Sequence, residues 1–226
     1  AGAGAETLET QRRMSLARPG YGVFSCRDGR SISIGALEDH FWARLVTVPL
    51  RWPDFQPDLD ELTAAVTDRT RVILVNDPHN PTGAVFDADV RERIVALAET
   101  HDAIIVTDEV YEHLVFDGPH VPIATLPGAW GRTVSISSAG KTFSVTGWKI
   151  GWVTGPAPLV SAILTVKQYL TFSGGAPFQP AVAVGLGLPD AFFTGLVRSL
   201  QDRRDLLVPP VLADRSSLTD DATRHE

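Results

Sequence analysis

From residue 47 to residue 207 the apolar positions switch between two periods, and the switching predicts the elements. Short apolar runs at 72–75, 103–106, 133–136 and 150–153 are bounded by turn-forming residues and read as strands. The run 103–106 is apolar on both faces, as a central parallel strand is. Between the runs the period lengthens to that of a helix. Residues 55–66 read as one helix, with Asp58 as N-cap and Asp60 and Glu61 in its first turn. Asp87 opens a second that runs to about His101 and sets Val90, Ile94, Leu97 and Ala98 on one face. Pro158 starts a third towards Tyr169. The stretch GGAPFQP then interrupts the chain before two more helices at 181–186 and 190–206. Strands alternating with helices predict an α/β fold, a mostly parallel sheet with helices on both faces.

Outside this span the pattern changes. Residues 1–20 are small, polar and Arg-bearing, show no periodicity and read as flexible. Residues 21–46 read as a turn at Asp28-Gly29, a strand at 31–34 and a short amphipathic helix at 38–45. With 226 residues the chain is long enough to bury a real core. Its net charge of −7 argues against a nucleic-acid partner. The single cysteine, Cys26, excludes a disulfide framework and fits a reducing cytoplasm. No apolar run approaches the roughly 18 residues that span a bilayer, so no membrane partner is expected. The first residues carry no apolar stretch of the secretory kind.

The candidate chemistry lies in loops beyond the strand ends, where α/β proteins build their sites. Lys141 follows the run 132–136 in a turn of small residues, Ser137, Ser138, Ala139 and Gly140. Eight positions on, Lys149 sits in Gly-Trp-Lys-Ile-Gly-Trp, which reads as another strand. An amine on a small-residue turn, close to a second cation, is placed to attack a carbonyl. Two upstream segments converge on it. NDPHNPTG brings Asn80, and TDEVYEHL brings Asp108 and Tyr111. A pyridine-ring aldehyde cofactor needs these groups: an amine for a Schiff base, a carboxylate at the ring nitrogen, donors for the ring oxygen, and cations with hydroxyls for its phosphate. Each residue also has a plainer reading. Asn80 suits a turn before Pro81, Asp108 a helix cap and Tyr111 packing. His79, His113 and His120 share no metal-ligand spacing, so no metal is expected, and Trp148 and Trp152 read as packing residues.

Taken together, NPTG, D-x-x-Y, S-x-x-K and a cation eight residues later resemble the pyridoxal-phosphate aminotransferases of class I/II, fold type I, over residues 47–207. The resemblance implies the central part of a large cofactor-binding domain. It makes Lys141 the Schiff-base lysine and general base, and Asp108 the partner of the pyridine nitrogen. Tyr111 and Asn80 become donors to the ring oxygen, and Ser138 and Lys149 phosphate ligands. Lys149 departs from the arginine common there, keeping the charge but losing the bidentate fork. The reaction implied is transfer of an amino group between an amino acid and a 2-oxo acid, in a cytoplasmic homodimer.

The flanks, 21–46 and 208–226, resemble instead the family III CoA-transferases and α-methylacyl-CoA racemases. Glu38 falls where the racemases carry a glutamate, although it also reads as a solvated residue opening a helix. This gives the alternative: an acyl-CoA enzyme, or a non-catalytic chimeric fragment. The aminotransferase match lacks the usual N-terminal phosphate loop and the small domain with its carboxylate-binding arginine, for which Arg203, Arg204 and Arg215 qualify by charge alone. Weak cofactor binding and little turnover are therefore expected of the chain by itself.

Overall fold

The computed structural model describes residues 21–25, 31–35, 45–171 and 174–222, with side chains over 45–171 and 174–208. It divides into two units, 1–48 and 49–226. The described part of the first is an antiparallel hairpin of β1 (Tyr21–Ser25) and β2 (Ser31–Gly35), with Tyr21 opposite Gly35 and Ser25 opposite Ser31. The expected strand at 31–34 is present. Residues 1–20, Cys26, the Asp28-Gly29 turn, Glu38 and most of the helix expected at 38–45 lie outside the described residues.

In the second unit a short ribbon comes first, β3 (Leu50–Arg51) against β4 (Gln56–Pro57). The helix expected from 55 begins four residues later, as α1 (Leu59–Ala65). Pro57 drives Gln56 out of the helical region, and Phe55 adopts φ 57. Asp58 is the N-cap, its carboxylate accepting the amides of Asp60 and Glu61 at 2.9 Å each. The Gln56 side chain ties the ribbon to the next helix, donating to the Val85 carbonyl at 3.0 Å and accepting the Asp87 amide at 3.2 Å.

The main sheet has the order β5 (Val72–Asn76), β6 (Ile104–Asp108), β7 (Thr133–Ser138), β8 (Gly151–Thr154). The first three are parallel, with Asn76, Asp108 and Ile136 level with one another. Between β5 and β6 runs α2 (Ala88–Thr100), capped by Asp87 through the Val90 amide at 2.9 Å. Its Val90, Ile94, Val95, Leu97 and Ala98 are buried, together with Ile73, Val75, Ala103 and Ile105. At full burial each of the Val, Ile and Leu side chains is worth roughly 1.5–3 kcal/mol. On the opposite face Val72 and Leu74 stay exposed.

Strand β8 runs antiparallel to β7. The connection between them holds only α3 (Ala139–Thr142) and a turn of 3-10 helix at Thr146–Trp148, too little for the crossover that a parallel return requires. Gly151 stands opposite Ser138, and a Cβ there would lie 2.8 Å from the Ser137 carbonyl oxygen, so only glycine permits this approach. Three helices complete the chain: α4 (Ala157–Leu170), α5 (Gln179–Leu186) and α6 (Asp190–Ala222), the last continuing well past residue 206.

Candidate active site

The six residues singled out by sequence all lie at the C-terminal edge of β5, β6 and β7 or in the segments that leave it. Two of those segments depart from expectation. Lys141 is not in an open turn; it occupies the one-turn helix α3, because Ser138 caps it by accepting the Gly140 amide at 3.1 Å. Lys149 is not in a strand. It closes the 3-10 turn with φ 54 and ψ 41, a left-handed conformation that costs a non-glycine residue about 1 kcal/mol or more. Burial of Ile150 beside Ala139, and the 3.1 Å bond from the Ala139 amide to the Ile150 carbonyl, hold it there. Ser144, on the same connection, is left-handed as well, with φ 55. Strain of this kind persists only where surrounding contacts over-determine it, and it gathers at sites.

Lys141 Nζ lies 5.5 Å from the centroid of the Tyr111 ring, within cation–π range. Two flanking links hold this pair. Ser137 Oγ donates to Glu112 Oε1 at 2.6 Å, and His113 Nδ1 lies 3.4 Å from Thr142 Oγ1. The turn after β6 is thereby fastened to the end of β7 through Ser137 and to α3 through Thr142. Tyr111 sits in that turn, and Asp108 is the last residue of β6. The Asp108 carboxylate accepts the Val110 amide at 3.3 Å, so it caps a turn and not a helix.

Asn80 belongs to a third segment. Its amide donates to Asn76 Oδ1 at 2.9 Å, and Asn76 Nδ2 donates to the Asp108 carbonyl at 3.1 Å. The loop closes through the amide of Gly83, which has φ 74 and donates to the His79 carbonyl at 2.8 Å. His79 Nδ1 and Thr82 Oγ1 are 2.8 Å apart, and partial burial holds the His79 pKa below its usual value.

A cavity of about 560 Å³ brings Ser138, Lys141 and Lys149 together, with Lys167 of α4 as a third amine. Its other walls are largely apolar, among them Ile136, Val153, Ile163 and Leu164, and among the described residues no carboxylate lines it. Three amines without a counter-charge suit an anionic group. Asp108, Tyr111 and Asn80 are not among its walls; they join the site through the sheet register and the Lys141–Tyr111 contact. Trp148 stacks on Phe178 with ring centroids 4.7 Å apart, and Trp152 packs against the Ala139–Ile150–Val182 cluster while also lining the cavity.

Sequence reasoning missed the groups beneath this edge. Glu109 and Asp77 are 3% and 1% exposed, and His120 is buried beside Glu109. Strand alternation held the signal, since Glu109 shares a face with the fully buried Ile105 and Thr107.

An amine, a carboxylate at the end of a central strand, phenol and amide donors, and a hydroxyl with a second cation are the parts that a pyridoxal-phosphate protein of α/β type requires. Comparison with known proteins gives the family: the chain belongs to the aminotransferases of class I and II, whose family profile matches residues 39–217. These are pyridoxal-phosphate-dependent enzymes. The chain is 52% identical over 169 residues to a probable N-succinyldiaminopimelate aminotransferase of Mycobacterium tuberculosis, a match covering 73% of this chain and 42% of that protein. It is 45% identical over 154 residues to a kynurenine–oxoglutarate transaminase of Dictyostelium discoideum, covering 66% and 35%. A solved structure of the M. tuberculosis N-succinyldiaminopimelate aminotransferase superposes with a TM-score of 0.68 at 50% identity, over 70% of this chain and 42% of that one. The chain thus spans about two fifths of the length of these relatives. The family match extends beyond residues 47 and 207 into both flanks, and the likeness of those flanks to CoA-transferases finds no support in it.

Proposed function

We propose that this chain holds pyridoxal phosphate through Lys141 and serves the transfer of an amino group between an amino acid and a 2-oxo acid. The contact of Lys141 Nζ with the Tyr111 ring carries the reading, because it joins the segment after β7 to the turn that follows Asp108. The donor set fits the group. Lys141 is the covalent anchor, Asp108 the carboxylate facing the ring nitrogen, Tyr111 and Asn80 the donors to the ring oxygen, and Ser138 and Lys149 the phosphate ligands.

The bound cofactor supplies an electron sink, which lets an amino acid lose the proton on Cα. The rest is the work of this chain. Asp108 keeps a proton on the ring nitrogen by its charge. With the cofactor bound, Lys141 Nζ would be the base that takes the Cα proton of the amino acid and the acid that gives it up. The Tyr111 hydroxyl and the Asn80 amide would hold the ring oxygen, and Ser138 and Lys149 would hold the phosphate.

The working form is read as a homodimer in the cytoplasm. The one cysteine fits a reducing compartment, and Val72 and Leu74 on the exposed face of β5 suit further packing. Among the described residues no single helix is long and apolar enough to cross a membrane. Absorbance titration with pyridoxal phosphate, followed by addition of mixed amino acids, tests the proposal. An imine band that forms with the wild-type chain, fails with Lys141→Ala and decays as 2-oxo acid accumulates is the expected result. A band of equal strength in the variant would remove Lys141 from the reaction.

A further inference from the structure

We propose that His120 is a positioning residue that joins Asp77 to Glu109 beneath the sheet edge and so keeps the Asn80 loop and the Asp108–Tyr111 turn in register. The inference rests on the reading of Asn80 and Asp108 as cofactor-holding residues.

Asp77 and Glu109 each directly follow a strand, next to Asn76 and Asp108, and the Asp77 amide donates to the Asp108 carbonyl at 3.1 Å. Their side chains are buried on the covered face. Glu109 Oε1 accepts Thr107 Oγ1 at 2.7 Å and Ser135 Oγ at 3.3 Å, which fixes the carboxylate and turns Oε2 towards His120 Nε2, 3.6 Å away. The His120 and Glu109 side chains are each only 4% exposed. Asp77 Oδ1 accepts the Phe86 amide at 2.9 Å, closing the far end of the loop that carries Asn80.

Among the described residues four buried side-chain atoms have no hydrogen-bond partner: Asp77 Oδ2, both ring nitrogens of His120, and Nε of Arg91, which acts on the same carboxylate. Buried polar atoms are rarely left so, and here an unpartnered acceptor coincides with an unpartnered ring that can donate. The groups share one electrostatic field. Burial raises the Asp77 pKa above its usual value, the Phe86 amide, His120 and Arg91 pull it down, and Glu109 pushes it up. Two buried carboxylates thus share this region with the Arg91 guanidinium and the His120 imidazole. With the imidazole gone, the two carboxylates lose a buried neighbour that can donate to them, where water cannot take its place. Because the carboxylates sit on different segments, their mutual repulsion would then part the two segments that hold the ring donors and the ring-nitrogen carboxylate.

The test uses the full chain without cofactor, so that it does not depend on cofactor binding. In His120→Leu, amide hydrogen exchange in residues 77–86 and 108–114 should quicken together, by about tenfold (roughly 1.4 kcal/mol), while α2 keeps its wild-type protection. His120→Gln, which restores a donor, should recover part of the loss. With His120 itself unchanged, the ¹⁵N signals of its ring should move from their wild-type positions on Asp77→Asn and likewise on Glu109→Gln, which decides the matter if His120→Leu does not fold. Unchanged exchange, acceleration in one segment only, equal acceleration across α2, or ring signals indifferent to either carboxylate would overturn the proposal. Failure of the wild-type chain to take up pyridoxal phosphate would instead overturn the proposed function and leave these readouts intact.

Discussion

Replacing Gly151 by alanine tests whether the close approach of β8 to β7 shapes the phosphate-binding corner. The added Cβ would stand 2.8 Å from the Ser137 carbonyl oxygen and 3.4 Å from Ser138 Cβ. The nearer obstacle is backbone in a strand ladder, which cannot rotate aside as a side chain can, so the strands must part by several tenths of an ångström. Overpacking of this kind costs about 1–3 kcal/mol. For a unit of this size each kcal/mol lowers the melting temperature by about 2–4 °C. The displaced strand carries Ile150 and Lys149 with it and moves Lys149 away from Ser138, so cofactor affinity should fall by about tenfold or more. Gly147 is the internal control, since nothing lies within 4 Å of a Cβ built there. Gly147→Ala should be neutral or stabilising by up to about 1 kcal/mol, through the unfolded chain. Thermal unfolding and cofactor titration of both variants give the comparison. Equal melting temperatures for the two, or a Gly151→Ala chain that binds cofactor as the wild type does, would refute the reasoning.

Three further predictions follow from the same contacts. Asp108→Asn keeps the shape but removes the charge at the ring nitrogen, so single-turnover proton transfer should slow roughly 100-fold or more, about 3 kcal/mol; an unchanged rate would take the carboxylate out of the mechanism. Because the His79 pKa is lowered in the folded state, the unfolded chain takes up its proton first as pH falls through 6.5. Stability contributed at neutral pH is then lost on acidification, and His79→Gln should show a smaller drop in urea midpoint between pH 7.5 and 5.5; identical drops would dismiss this. Asp87→Ala removes the acceptor of the Val90 amide and should destabilise the fold by about 1 kcal/mol in urea, with no effect on the absorbance of any cofactor complex.

The sequence made the frame legible where local chemistry decides the outcome. Asp58 and Asp87 cap the helices they were expected to cap, since an N-cap needs only its own side chain and the next few amides. The run 103–106 was read as central because both its faces are apolar, and β6 does lie between β5 and β7. Errors arose where distant packing overrode local pattern. Gly-Trp-Lys-Ile-Gly-Trp alternates as a strand does, yet the Ala139–Ile150 contact pulls Lys149 into a left-handed turn. The small residues before Lys141 suggest an open loop, yet the Ser138 hydroxyl finds the Gly140 amide and winds a turn of helix.

The site shows the same division. Lys141, Tyr111 and Asp108 each suit an ordinary loop, packing or cap role alone and could be singled out only by their combination and order, and Ser138 and Lys149 by their spacing from Lys141. Glu109 and His120 could not, since they are 11 residues apart in sequence and meet only through the fold. Had the alternation of β6 been carried one residue beyond Asp108, it would have put the Glu109 carboxylate on the buried face and prompted a search for its partner.

The account turns on Lys141 as the residue that holds the cofactor. Borohydride reduction of the chain with excess pyridoxal phosphate, followed by digestion and mass spectrometry of the peptides, tests this most directly. A single stable phosphopyridoxyl adduct on Lys141 is the predicted result, whereas an adduct on Lys149 or Lys167 instead, or none on Lys141, would contradict it.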